Sequence, residues 1–210
     1  MTQAVVLLHG LGRSPRSMWW LARALRRDSH VVVNQDYPST RAPVEVLADF
    51  VGQGVARCPP GATVHLVTHS MGGILARIWL ARHRPARLGR VVMLAPPNAG
   101  SEIVDRLGGW RLYRAINGPA GQQLGTGLGS VPRSLPPVDY PLGIIAGTRG
   151  IEPFSLLLPR PNDGKVAAAA TGVAGMTDQI LLPVTHTFLM NSPAVIAQVR
   201  AFLRDGRFQR

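Results

Sequence analysis

The chain has 210 residues, of which 46% are hydrophobic and 16% charged, and this composition excludes a wholly disordered protein. Its 23 Lys and Arg face 11 Asp and Glu, which gives a formal net charge of +12, and Lys165 is its one lysine. The length allows one domain with a sizeable core, and we predict a single domain over residues 1–210.

Short β-branched runs alternate with longer segments of helical period, which predicts an α/β protein with about six mostly parallel strands flanked by helices. In chain order, the predicted strands cover residues 4–8, 30–34, 63–68, 90–94, 142–146 and 179–182. The predicted helices cover residues 17–27, 44–55, 73–83 and 193–203.

Residues 108–141 interrupt this alternation with seven Gly and five Pro. Irregular insertions longer than about 15 residues are usually functional or disordered, so we interpret the segment as an irregular cap or lid. Its apolar side chains Trp110, Leu112 and Tyr113 are candidate substrate-binding residues, and so is Trp19 near the first strand.

The arginines are spread along the chain, which favours a solvated basic surface over a dedicated polyanion site. No zinc-finger or RNA-recognition signature accompanies them, so no nucleic-acid partner is expected, while an anionic membrane surface is a candidate for peripheral contact.

The lone Cys58 offers neither an internal disulfide nor metal-ligand spacing. No apolar run approaches the ~20 residues of a membrane span and no export signal is visible, so a cytoplasmic location is expected.

The segment 63–76 carries an apolar strand through the turn THSMGG into a helix, with Ser70 at the apex. A serine at such a turn projects from the carboxyl edge of the sheet, and the helix behind it supplies positive potential for an oxyanion. Gly72 meets the need for a small residue after the serine, whereas Thr68 departs from the pattern G-x-S-x-G.

This sequence resembles the α/β-hydrolase superfamily, specifically small bacterial esterases and lipases related to GPI inositol-deacylase-like lipases. The resemblance rests on the runs VLLHGLGR at 6–13, DYPST at 36–40, HSMGG at 69–73, LAPPNAGS at 94–101, NDGKV at 162–166 and THT at 185–187. It implies a minimal α/β-hydrolase fold that lacks the usual two leading strands, with its catalytic residues in the order serine, acid, histidine.

Ser70 is the candidate nucleophile and His186, in the loop after the last strand, the candidate base. The acid could be Asp139, Asp163 or Asp178, because all three precede His186. Asp163 is favoured, because its Asn-Asp-Gly turn would place a carboxylate just beyond the fifth strand, and the resemblance implies the same assignment.

The other histidines are predicted to be structural, with the side chain of His69 directed away from the adjacent serine. The backbone N–H groups of Leu11 and Met71 are the candidate oxyanion-hole donors. The short Gly-x-Gly of residues 10–12 does not fit a dinucleotide fingerprint, so no cofactor is expected. The expected serine chemistry requires no metal.

These features predict a serine carboxylester hydrolase, an esterase or lipase that forms an acyl-enzyme on Ser70 with a small-molecule or lipid ester. An acyltransferase or thioesterase with the same triad is the enzymatic alternative. A non-catalytic basic binding protein on a hydrolase scaffold is the alternative of another class.

Overall fold

A computed structural model describes residues 2–151 and 153–210. The described chain forms a six-stranded sheet in the order β2-β1-β3-β4-β5-β6, and every neighbouring pair of strands is parallel. The strands are β1 (Gln3–Leu8), β2 (Val31–Gln35), β3 (Thr63–His69), β4 (Leu88–Leu94), β5 (Leu142–Gly147) and β6 (Asp178–Leu182).

Helices connect the strands on both faces of the sheet. They are α1 (Trp19–Arg27), α2 (Val44–Leu47), α3 (Asp49–Ala56), α4 (Met71–Arg82), α5 (Glu102–Leu107), α6 (Arg111–Gln122), α7 (Val131–Ser134) and α8 (Pro193–Asp205). Short 3-10 turns cover Pro15–Met18, Pro153–Leu157, Ala168–Thr171 and His186–Asn191. None of the helices in the described part of the chain is long and apolar enough to cross a membrane.

The alternation of side chains along β1 shows how the core is divided between the two faces. Val6 and Leu8 pack against residues of α2, α3 and α4, whereas Val5 and Leu7 pack against residues of α1 and α8. Because both faces are covered, the strand is apolar at every position from Ala4 to Leu8, as expected for a parallel sheet. The α/β fold class predicted from the sequence is confirmed.

The predicted strands agree with the structure to within two residues at each end, and the helix predicted over residues 44–55 is divided into α2 and α3 at Ala48. The expectation of an irregular segment over residues 108–141 is wrong, because α6 and α7 lie within it. The helical spacing of Leu112 and Ile116 outweighs the local glycine content, and Gly118 bends α6 with a φ of +62° before Pro119.

Candidate active site

Ser70 lies between the last residue of β3 and the first residue of α4. Its backbone has φ +53° and ψ −124°, a left-handed conformation that is strained for a residue with a Cβ. A hydrogen bond of 2.8 Å from the Ser70 N–H to the Leu94 carbonyl holds the turn against the end of β4. The turn therefore places Ser70 at the carboxyl edge of the sheet, at the end of the central strand β3.

Two glycines permit the close packing around this turn. A Cβ at Gly72 would lie 2.7 Å from the His9 carbonyl oxygen and 2.9 Å from that of Leu8, so α4 approaches the end of β1 more closely than a side chain allows. A Cβ at Gly10 would lie 3.1 Å from the Ser70 Cβ. Thr68, at the position where the common motif has a glycine, is fully buried.

Asp163 and His186 form a buried pair. The Nδ1 of His186 lies 2.7 Å from the Oδ2 of Asp163, and the His186 backbone N–H donates to the Asp163 carbonyl at 2.9 Å. The other carboxylate oxygen, Oδ1, accepts the N–H groups of Lys165 at 3.0 Å and Val166 at 2.8 Å. With Nδ1–H donated to the carboxylate, Nε2 of a neutral His186 is left as the proton acceptor.

The Asn-Asp-Gly turn that carries Asp163 is buried rather than a surface turn. The side chain of Asn162 donates to the carbonyls of Ser155 and Pro159 at 3.1 and 3.2 Å and accepts the Gly164 N–H at 3.0 Å. Gly164 has a φ of +98°, which explains why a glycine follows the aspartate.

The other two candidate acids have different partners. Asp139 is exposed and forms an ion pair with Arg84. Asp178 accepts the Phe208 N–H at 2.9 Å and binds the Arg210 guanidinium at 2.6 Å. Of the three candidates, the one hydrogen-bonded to His186 is Asp163.

His69 has a contact that the sequence analysis missed. Its Nε2 donates to the His186 carbonyl at 3.1 Å, and the two imidazole centroids are 4.8 Å apart. Burial, followed by the nearby His186 and Arg13, lowers the pKa of His69 well below its usual value. His69 also lines the same pocket as Ser70 and His186, so its side chain is part of the site, which the prediction of a purely structural role did not include. The position of His69 directly before Ser70 was the signal in the sequence that could have indicated its place in the site.

The Leu11 and Met71 N–H groups lie in the two turns that flank Ser70. Met71 is the first residue of α4, and within residues 2–151 and 153–210 neither N–H has a protein acceptor. The loop carrying Leu11 is fixed by a 3.0 Å hydrogen bond from the Gly12 N–H to the Ser39 Oγ, and His9 stacks on Tyr37 with centroids 4.2 Å apart. Both N–H groups are thus available as donors.

A pocket of about 400 Å³ contains Ser70, His69 and His186 in its lining. Three of the predicted substrate residues, Trp110, Leu112 and Tyr113, line it as well. Trp110 and Leu112 are 64% and 70% exposed, so they form part of the rim. The further apolar lining residues are Leu11, Pro97, Ile103, Val104, Leu107, Ile116, Leu124, Phe154 and Val166.

Trp19 is not among the residues that line this pocket. It is 46% exposed on α1, where its ring contacts the edge of Trp20 and the guanidinium of Arg23 at 5.6 Å. The period of the helix directs Leu21 and Leu25 into the core instead. In the described part of the chain, no three His, Cys, Asp or Glu side chains are grouped as they would be to bind a metal ion.

The serine turn, the Asp163–His186 pair and the parallel sheet together define the hydrolase type of α/β protein. A family model described as the alpha/beta hydrolase family matches residues 5–196. The chain therefore belongs to the alpha/beta hydrolase family. Among curated proteins, no sequence match to this chain is found.

Solved structures share the fold at low sequence identity. The mature lipase BlEst2 of Bacillus licheniformis is 18% identical, with a TM-score of 0.75 over 97% of this chain and 91% of that one. The metagenomic carboxyl esterase MGS0156 is 19% identical, with a TM-score of 0.75 over 97% of this chain and 74% of that one. The RedJ thioesterase from the prodiginine pathway of Streptomyces coelicolor is 18% identical, with a TM-score of 0.59 over 97% and 92%.

Proposed function

We propose that the protein is a serine carboxylester hydrolase, an esterase or lipase with Ser70 as its nucleophile. The observation that carries the proposal is the buried hydrogen bond of 2.7 Å between His186 and Asp163. The imidazole of His186 lines the same pocket as Ser70. A serine hydroxyl is a weak nucleophile at neutral pH, so it needs a base that is itself oriented by an acceptor.

In the proposed cycle, His186 removes the hydroxyl proton as Ser70 attacks the ester carbonyl. The Leu11 and Met71 N–H groups donate to the developing oxyanion, and losing one such donor typically costs about 3 kcal/mol of transition-state stabilisation. His186 then protonates the departing alcohol, and a water molecule, deprotonated in turn by His186, releases the acid from the acyl-enzyme.

The lining of the pocket supports an aliphatic acyl group as its occupant. Trp110, Leu112, Tyr113 and their apolar neighbours offer dispersion contacts and few hydrogen-bonding groups to an acyl chain. The exposed apolar rim and the net charge of +12 are also compatible with peripheral contact between the protein and an anionic membrane surface.

Initial rates with p-nitrophenyl esters of increasing chain length test the proposal. We expect saturable hydrolysis that Ser70→Ala reduces by at least ~10³-fold, because the acyl-enzyme cannot form. Ser134→Ala removes an exposed hydroxyl outside the pocket and should retain the activity. Parallel reactions with an acyl thioester, or with a competing alcohol, distinguish a thioesterase or an acyltransferase. No turnover of any of these donors would contradict the proposal and favour a binding protein.

A further inference from the structure

Two cations line the apolar pocket beside Ser70, namely Arg13 and Lys165. Among the described residues of the lining there is no Asp or Glu. After burial and the nearby His186, Arg13 and then Lys165 also lower the pKa of His69, which lines the same pocket. The pocket therefore combines apolar walls with two cationic side chains, which an aliphatic acyl chain alone does not explain.

Arg13 also lines a second cleft of about 550 Å³, formed chiefly by the loop 36–41 after β2. This cleft has a mixed lining that includes Thr40 and Arg41, and it is more polar than the walls around Ser70. Its one carboxylate within the described lining belongs to Asp36, whose Oδ1 already accepts the Tyr37 N–H at 2.9 Å. With Arg13, Arg41 and Asp36, the cleft carries a net charge of +1.

Arg13 lines both cavities. It follows Leu11 by two residues, so it adjoins one of the proposed oxyanion donors. Its described hydrogen bond is a long one of 3.5 Å, from Nη2 to the Thr187 carbonyl, which leaves most of the guanidinium donors for a ligand. A guanidinium with free donors binds carboxylate or phosphate oxygens in a bidentate manner.

An ester has an acyl portion and an alcohol portion, and the two cavities differ in which of these portions their lining suits. The apolar pocket fits the acyl chain, so the alcohol portion is left for the side on which Arg13 and the more polar cleft lie. We propose that Arg13 binds an anionic group, a phosphate or a carboxylate, on the alcohol portion of the ester. This inference rests on the proposed function, and it makes the preferred substrate an amphiphile with an aliphatic acyl chain and an anionic head.

Three matched substrates test the assignment: octanoyl esters of glycerol, glycerol 3-phosphate and glycerate. We expect kcat/KM for the phosphate ester, the carboxylate ester or both to exceed that for the neutral ester by about tenfold or more, as for hydrogen bonds to charged groups. Arg13→Gln should bring this ratio close to 1, mainly through KM. Arg13→Lys should retain part of the preference, and Arg16→Gln, on an exposed side chain outside both cavities, should retain all of it.

Equal losses on neutral and anionic esters in Arg13→Gln would overturn the inference, because they would mean that the cation stabilises the oxyanion instead. A wild-type protein without any preference for the anionic esters would overturn it too. If no ester is hydrolysed, the proposed function fails separately. Calorimetric titration of Ser70→Ala with the same three esters then still decides whether an Arg13-dependent affinity for the anionic head exists.

Discussion

At the level of single residues, the carboxylate of Asp163 is tightly constrained. It accepts two backbone N–H groups on Oδ1 and the imidazole of His186 on Oδ2, and its side chain is 1% exposed. A buried carboxylate with three donors is held in one orientation, so it fixes both the ring plane and the tautomer of His186.

Asp163→Asn is expected to lower kcat by ~10³- to 10⁴-fold with little loss of fold, because the amide cannot hold the Nδ1–H tautomer that leaves Nε2 as the base. Steady-state kinetics and a thermal melt measure the two effects. Asp178→Asn is the matched control, since its carboxylate binds Phe208 and Arg210 instead. A large loss of kcat in Asp178→Asn, with Asp163→Asn active, would show that the acid is wrongly assigned.

At the level of elements, the site depends on how closely α4 approaches the end of β1. The Cβ that Gly72 lacks would meet the carbonyl oxygens of both Leu8 and His9, so the first turn of α4 has no space for a methyl group. The same helix carries the buried Arg77, which donates to the Asn98 Oδ1 and to the carbonyls of Pro132, Leu135 and Pro136. One helix thus supports Ser70 at its start and anchors the end of the segment 108–141.

Gly72→Ala is expected to lower the free energy of unfolding by about 1–3 kcal/mol, because overpacking forces α4 away from backbone atoms that cannot yield. The displacement of Ser70 should also reduce kcat. Denaturant titration measures the free energy of unfolding of Gly72→Ala. Gly109→Ala is the matched control, because a Cβ at Gly109 would have nothing within 4 Å. Equal stability of the two variants would mean that the close approach is not a constraint.

At the level of the whole molecule, the strand pattern was predictable because a doubly covered parallel sheet needs continuous β-branched apolar runs. The family was also predictable from its motifs and is confirmed, although the relation to GPI inositol-deacylase-like lipases stays a prediction.

The helix α6 was missed because glycine and proline nearby hid the spacing of Leu112 and Ile116. The position of Trp19 and the contact of His69 with His186 depend on packing between distant segments, which a single sequence does not specify. The cytoplasmic location and the membrane contact stay predictions.

The stability of the whole molecule should depend on pH through His65. This buried residue belongs to β3, the strand that lies between β1 and β4. Its Nδ1 accepts the Arg90 N–H at 2.9 Å and its Nε2 donates to the Gln3 Oε1 at 2.7 Å, so the folded state needs a neutral ring. Burial, with His30 and Arg90 nearby, lowers the pKa of His65 to about 4. In the unfolded chain, the imidazole is protonated near the ordinary pKa of about 6.5. Unfolding between pH 6.5 and about pH 4 is therefore accompanied by the uptake of a proton at His65.

The free energy of unfolding is therefore expected to fall as the pH decreases from about 6.5 to 4, by up to about 1.4 kcal/mol per pH unit from this residue. Denaturant titrations across this range measure the slope. His65→Gln should reduce this slope, whatever its effect on stability at pH 7. A slope that is identical in His65→Gln and the wild type would contradict this account.

The most direct measurement of the central claim is to react the protein with a fluorophosphonate and locate the adduct by mass spectrometry. If His186 activates Ser70, a single adduct forms on the peptide containing Ser70, it is absent in Ser70→Ala, and its rate of formation is strongly reduced in His186→Ala. An adduct on another residue that persists in Ser70→Ala, or no adduct at all, would contradict the assignment of Ser70 as the nucleophile.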